Sequence, residues 1–140
     1  MKSLRLSPTT YLLRLETGED IPASILSYAK RSGLSAATIT GLGAVKNPKV
    51  GIYNPDSKQY DPQTLDGYFE VLSFTGNLAL VDDAPFLHAH VAMSDREMKA
   101  YGGHFLGGTC GATFELTVVT YAAKLRRELD EATGLKLLES

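Results

Sequence analysis

A chain of 140 residues, 44% hydrophobic and 21% charged, has enough apolar side chains for one core and too little length to suggest two domains. The net charge of -2, with acids and bases interspersed, projects no field that would draw in a polyanion, so charge does not announce nucleic acid as a partner. One cysteine, Cys110, excludes an internal disulfide framework and fits a reducing compartment, which makes the cytoplasm the expected location.

Met1 to Leu15 carries Lys2 and Arg5, but Ser3, Ser7, Pro8, Thr9 and Thr10 interrupt its apolar residues, unlike a cleaved signal peptide. No stretch approaches the roughly 20 apolar residues that span a bilayer. The expectation is a single soluble domain over residues 1–140.

In chain order, Thr10 to Leu15 reads as a short strand and Thr17-Gly18-Glu19-Asp20 as a turn into a helix cap. Ile21, Ile25, Tyr28 and Ala29 recur at helical spacing behind Asp20 as N-cap, Pro22 sits harmlessly in the first turn, and Gly33 supplies the stop. From Ala36 the pattern changes to β-branched and aromatic runs between Gly, Pro, Asn and Asp. These predict strands over Ala37 to Thr40, Lys49 to Tyr53, Tyr68 to Phe74, Leu78 to Val81, Phe86 to Met93 and Ala112 to Tyr121. Asn54 to Asp66 suits a long hairpin. Ser94-Asp95-Arg96-Glu97 has the form of a capping box and predicts a second, short helix ended by Gly102. Leu125 to Leu138 fits either a helix through Leu125 and Leu129 or two short segments around Ala132-Thr133-Gly134. The class is α+β: a mostly antiparallel sheet with one principal helix.

The only three histidines fall within seventeen residues. In Phe86-Leu87-His88-Ala89-His90-Val91, strand alternation puts both imidazoles on one face with Cβ atoms about 6.5 to 7 Å apart, close enough to converge on one ion. A His-x-His pair by itself is also common on a solvated strand. A third imidazole, His104, behind Gly102-Gly103, shifts the balance toward a divalent-metal site, zinc or another transition metal, because a three-nitrogen face suits such an ion. Three neutral ligands leave a fourth position open, as a catalytic zinc requires to hold water. Cys110 is a conceivable fourth ligand, although a buried, inert thiol is the plainer reading. Asp82, Asp83, Glu115 and Tyr101 are nearby groups able to orient a histidine or act as acid or base. An all-histidine site should lose metal as pH falls through about 6.5.

Arg14-Leu15 with Gly18-Glu19-Asp20-Ile21, then Gly41-Leu42-Gly43-Ala44, Gly67-Tyr68-Phe69-Glu70-Val71-Leu72, Gly76-Asn77, His88-Ala89-His90 and Gly102-Gly103-His104, resemble in order the plants-and-prokaryotes-conserved (PPC) domain. The resemblance runs over nearly the whole chain. It implies an α+β fold, a strand in part of the C-terminal stretch, a homotrimer, and a metal on the histidines matching His88, His90 and His104 in bacterial and archaeal stand-alone members. Plant members carry an AT-hook before the domain, and their segment matching Gly67 to Leu72 contacts other nuclear proteins; here Tyr68 replaces the usual arginine and Val71 the usual isoleucine. Family members are often labelled as predicted DNA-binding proteins. No Arg-Gly-Arg-Pro core for the minor groove occurs in this sequence, and Lys124, Arg126 and Arg127 are followed at once by Glu128, Asp130 and Glu131, which reads as a solvated mixed-charge face.

Two functions follow as expectations. One is a metal-binding regulatory module, DNA-binding by the family label, with a small-molecule ligand conceivable and no membrane partner. The other is a metal-dependent hydrolase or lyase acting on a small molecule at the open position. A cupin-like barrel enzyme ranks last, because the glutamate expected shortly after His-x-His is replaced by Met93, Ser94 and Asp95.

Overall fold

The computed structural model describes residues 1–139. The sole helix among them, α1 (Ile21–Arg31), starts as the sequence dictates: the Asp20 carboxylate accepts a hydrogen bond from the Ala23 N–H at 2.8 Å and Pro22 occupies the first turn. It ends at Gly33, whose φ of +62° lets the Leu34 N–H reach back to the Ala29 carbonyl at 2.9 Å. Ile21, Ile25, Tyr28 and Ala29 form its buried stripe, packed toward the sheet.

The sheet strands are β1 (Lys2–Arg5), β2 (Thr10–Glu16), β3 (Ala37–Asn54), β4 (Gln59–Thr64), β5 (Tyr68–Val81), β6 (Ala84–Ser94) and β7 (Ala100–Thr120), all paired antiparallel. Strand β7 pairs with β6 through its first residues and with β2 and β3 along the rest, so β3, β5, β6 and β7 form a closed hydrogen-bonded ring. Inside lies a core in which Phe74 meets Phe105 and Phe114 edge to face at 5.4 and 5.5 Å, with Leu13, Leu15, Ile39 and Leu116 fully buried around them. A second small sheet is the C-terminal hairpin of β8 (Arg127–Asp130) and β9 (Leu135–Leu138).

The mostly antiparallel sheet with one helix agrees with the sequence reading, but the strands are longer than predicted. Gly41 and Gly43, Asn47 and Pro48, and the Lys49 region lie at register shifts within β3, so residues read as turns are bulges that bend one 18-residue strand. Gly76 and Asn77 likewise lie inside β5: a Cβ at Gly76 would stand 2.5 Å from the His88 carbonyl oxygen, so glycine is there for close strand approach.

Two expectations are corrected or decided. The short helix at Ser94 to Gly102 does not form. Its acceptor is Asp95, whose side chain binds the N–H groups of Glu97 and Lys99 at 2.8 and 3.0 Å and closes a β6–β7 turn, with Met98 at a φ of +62°. So few residues between two paired strands cannot repay helix nucleation. The ambiguous C-terminal stretch is the β8–β9 hairpin, its turn tied by Asp130 to the Thr133 N–H and hydroxyl at 2.9 and 2.7 Å.

Candidate metal centre

Alternation along β6 sends Ala89, Val91 and Met93 into the core and His88 and His90 to the opposite face. The β6–β7 hairpin then pairs His90 directly with His104, which places the third imidazole on the same face. Gly102 and Gly103 permit this pairing: a Cβ on Gly102 would lie 2.7 Å from the Val91 carbonyl oxygen, and one on Gly103 would lie 2.9 Å from that of Gly51. The close approach expected from the two glycines is therefore present, reached through a tight turn instead of a helix.

The three ring centroids stand 5.1 to 5.4 Å apart, and one nitrogen from each ring lies within 4.8 Å of the others. His90 is exposed; His88 and His104 are half-buried. Tyr60, from the β3–β4 hairpin, stacks on His104 at 4.1 Å between centroids. Burial, and behind it the neighbouring His88 and His90, brings the His104 pKa down from 6.5 to about 4. His88 is lowered as well, by burial first and then by the Arg127 guanidinium and His90. Both rings are thus neutral and ready to ligate at neutral pH.

The donor set fits a divalent transition metal. His104 Nδ1 is buried without any hydrogen-bond partner, an unmet capacity that a bound ion would satisfy. Among the described residues the cluster contains no carboxylate or thiolate. Cys110 is buried in the hydrophobic core, its thiol directed at the Leu15 carbonyl oxygen at 3.7 Å, and does not join the site. Nor do the four orienting groups named from the sequence. Asp83 pairs with Arg126 at 2.7 Å on the β5–β6 turn beside Asp82, Glu115 lies exposed on β7 opposite Arg14, and the Tyr101 hydroxyl donates to Asp95 at 2.9 Å.

The group packed against His88 is Arg127, which the sequence places on a solvated mixed-charge face. It is 8% exposed. Nη2 donates to Asn77 Oδ1 at 2.9 Å and lies 3.2 Å from His88 Nδ1, while Nη1 donates to the Lys136 carbonyl at 2.8 Å. Alternation in Arg126-Arg127-Glu128-Leu129 was the available signal: one basic residue turns inward as its neighbours turn out. The C-terminal hairpin thereby flanks the site and, with Tyr60, Phe86, His88 and His104, lines a half-open cavity of about 90 Å³.

The family model for the Plants and Prokaryotes Conserved (PCC) domain matches residues 5–122. A Pyrococcus horikoshii plant- and prokaryote-conserved protein is 34% identical and superposes with a TM-score of 0.88 over 94% of this chain and 91% of its own. A metal-containing protein from Archaeoglobus fulgidus is 32% identical, with a TM-score of 0.86 over 94% and 93%. A Ralstonia eutropha protein whose name proposes DNA binding is 30% identical, with a TM-score of 0.89 over 96% and 93%. Curated relatives, among them an AT-hook motif nuclear-localized protein of Arabidopsis thaliana that is 38% identical over 77 residues (54% of this chain), are much longer: the chain spans 19 to 25% of their length.

Proposed function

The chain belongs to the Plants and Prokaryotes Conserved domain family, and from that premise we propose that it is a metal-binding regulatory module, holding one divalent ion, zinc foremost, on His88, His90 and His104. The observation that carries this reading is the convergence of three imidazole nitrogens within 4.8 Å. The similar Archaeoglobus fulgidus protein, metal-containing by name, supports it.

On this reading residues 1–140 act as one domain in the cytoplasm and assemble as a homotrimer. Leu42 and Leu72, 56% and 60% exposed at facing bulges of β3 and β5, offer apolar surface for assembly, and light scattering on the purified protein measures the mass. No helix is long and apolar enough to cross a membrane. DNA binding rests on the names of relatives. A net charge of -2 and a sequence without Arg-Gly-Arg-Pro argue against an AT-hook type of contact.

A second reading, a metal-dependent hydrolase or lyase, is favoured by one feature: the three histidines are the whole ligand cluster among the described residues, which leaves a coordination position for water or substrate. Metal analysis by plasma mass spectrometry on the native protein and on a His88→Ala/His104→Ala double variant tests the shared premise. Near-stoichiometric metal, lost in the variant, is expected; no metal in either protein after zinc addition at pH 8 would refute both readings.

A further inference from the structure

Arg127 is unexplained by metal binding alone. It is 8% exposed, pairs with no carboxylate among the described residues, and leaves its Nε buried without a partner. A buried cation with no counter-charge is costly. Lys136 also has no acidic partner among the described residues, and its Nζ approaches the Phe86 ring to 5.8 Å where the Arg127 guanidinium stands at 5.9 Å. The cavity wall therefore combines two cations with neutral imidazoles, and a divalent ion there would raise the positive charge further. The rest of the lining, Tyr60, Phe86, Leu135 and Leu137, is aromatic or apolar. Its volume of about 90 Å³ corresponds to about three waters at ~30 Å³ each.

We propose that this cavity binds a short-chain carboxylate, with Arg127 anchoring the carboxylate group beside the metal. The proposal rests on the metal reading above and names the ligand class of that site. Arg127 lies outside the residues the family model matches, so it is supplied by the C-terminal hairpin of this chain. The planar fork of a guanidinium matches a carboxylate, and the aromatic and leucine side chains accept the short hydrocarbon part.

The arrangement also couples the two ligands. A guanidinium only donates hydrogen bonds, so its contact with His88 Nδ1 at 3.2 Å requires that nitrogen to be unprotonated. Metal on His88 Nε2 would fix the proton on Nδ1, and metal on Nδ1 would consume the lone pair. In either case Arg127 loses this acceptor and frees an N–H at the cavity wall. Asn77 and the Lys136 carbonyl still hold the fork in place. Metal and carboxylate therefore strengthen each other's binding, reciprocally.

Calorimetric titration of propionate, with neutral propionamide as control, into zinc-loaded and chelator-treated full-length protein tests this, with metal content measured on every sample. Propionate is expected to bind the zinc-loaded protein at least about tenfold more tightly than the chelator-treated protein, and Arg127→Met to lose at least about tenfold while retaining zinc. Arg127→Lys should recover part of the loss, which a merely structural role would not produce, and propionamide should not bind. If Arg127→Met fails to fold by circular dichroism, Arg127→Lys carries the comparison and should bind several-fold more weakly than native. Full zinc content with unchanged propionate affinity in the Arg127 variants overturns this inference alone; absence of zinc overturns the metal reading and this inference with it.

Discussion

Acidifying the metal-free protein probes the histidine cluster directly. His104 is neutral in the fold because burial, reinforced by His88 and His90, holds its pKa at about 4, whereas in the unfolded chain it titrates near 6.5. Between those values the unfolded state takes up a proton that the folded state refuses. The stabilisation is therefore fully present above pH 6.5 and is lost as pH falls toward 4. At 1.36 kcal/mol per unit the gap corresponds to about 3 kcal/mol; partial solvation of the ring reduces the expectation to about 2 kcal/mol. His88 shifts in the same direction, with burial again the leading cause. The assay is urea unfolding followed by circular dichroism in the presence of a chelator, from pH 7.5 to 4, on native protein and on His104→Gln. The carboxyls of Glu19, Asp95 and Asp130, held below their ordinary values, are common to both proteins and cancel in the difference. The native protein should lose about 2 kcal/mol more than the variant across this range. Parallel curves would refute the idea that the fold preassembles a neutral site. For His88 and His104, proton competition with metal also begins below the pH of about 6.5 expected from the sequence.

Two further outcomes follow from the packing. Gly102→Ala should cost about 1–3 kcal/mol by chemical denaturation, since its Cβ must displace the Val91 carbonyl at 2.7 Å, and should lower zinc content by disturbing the His90–His104 pairing. Asp20→Ala removes the acceptor for the Ala23 N–H and should cost about 1 kcal/mol with zinc content unchanged, since the cap lies on α1 and away from the three imidazoles.

Features that depend on neighbours along the chain were legible in the residues alone. Asp20, Pro22 and Gly33 delimit α1 through backbone hydrogen bonds within a turn or two, and a period of two along β6 puts His88 and His90 on one face. The Gly102-Gly103 pair before the last remaining histidine pointed to His104, and the family resemblance added the order of the other motifs. The rest waited on contacts between strands distant in the chain. Whether Gly41 to Pro48 turns or bulges depends on strands β5 and β7 pairing on either side of it, contacts far apart in sequence. Asp95 closes a hairpin where Ser94 was expected to cap a helix, because paired strands hold both ends of the segment. Arg127 reads as one member of a mixed-charge run, yet the β8–β9 hairpin turns it inward onto Asn77 and His88, because burial is a property of what the fold lays over a residue and not of the residue's charge.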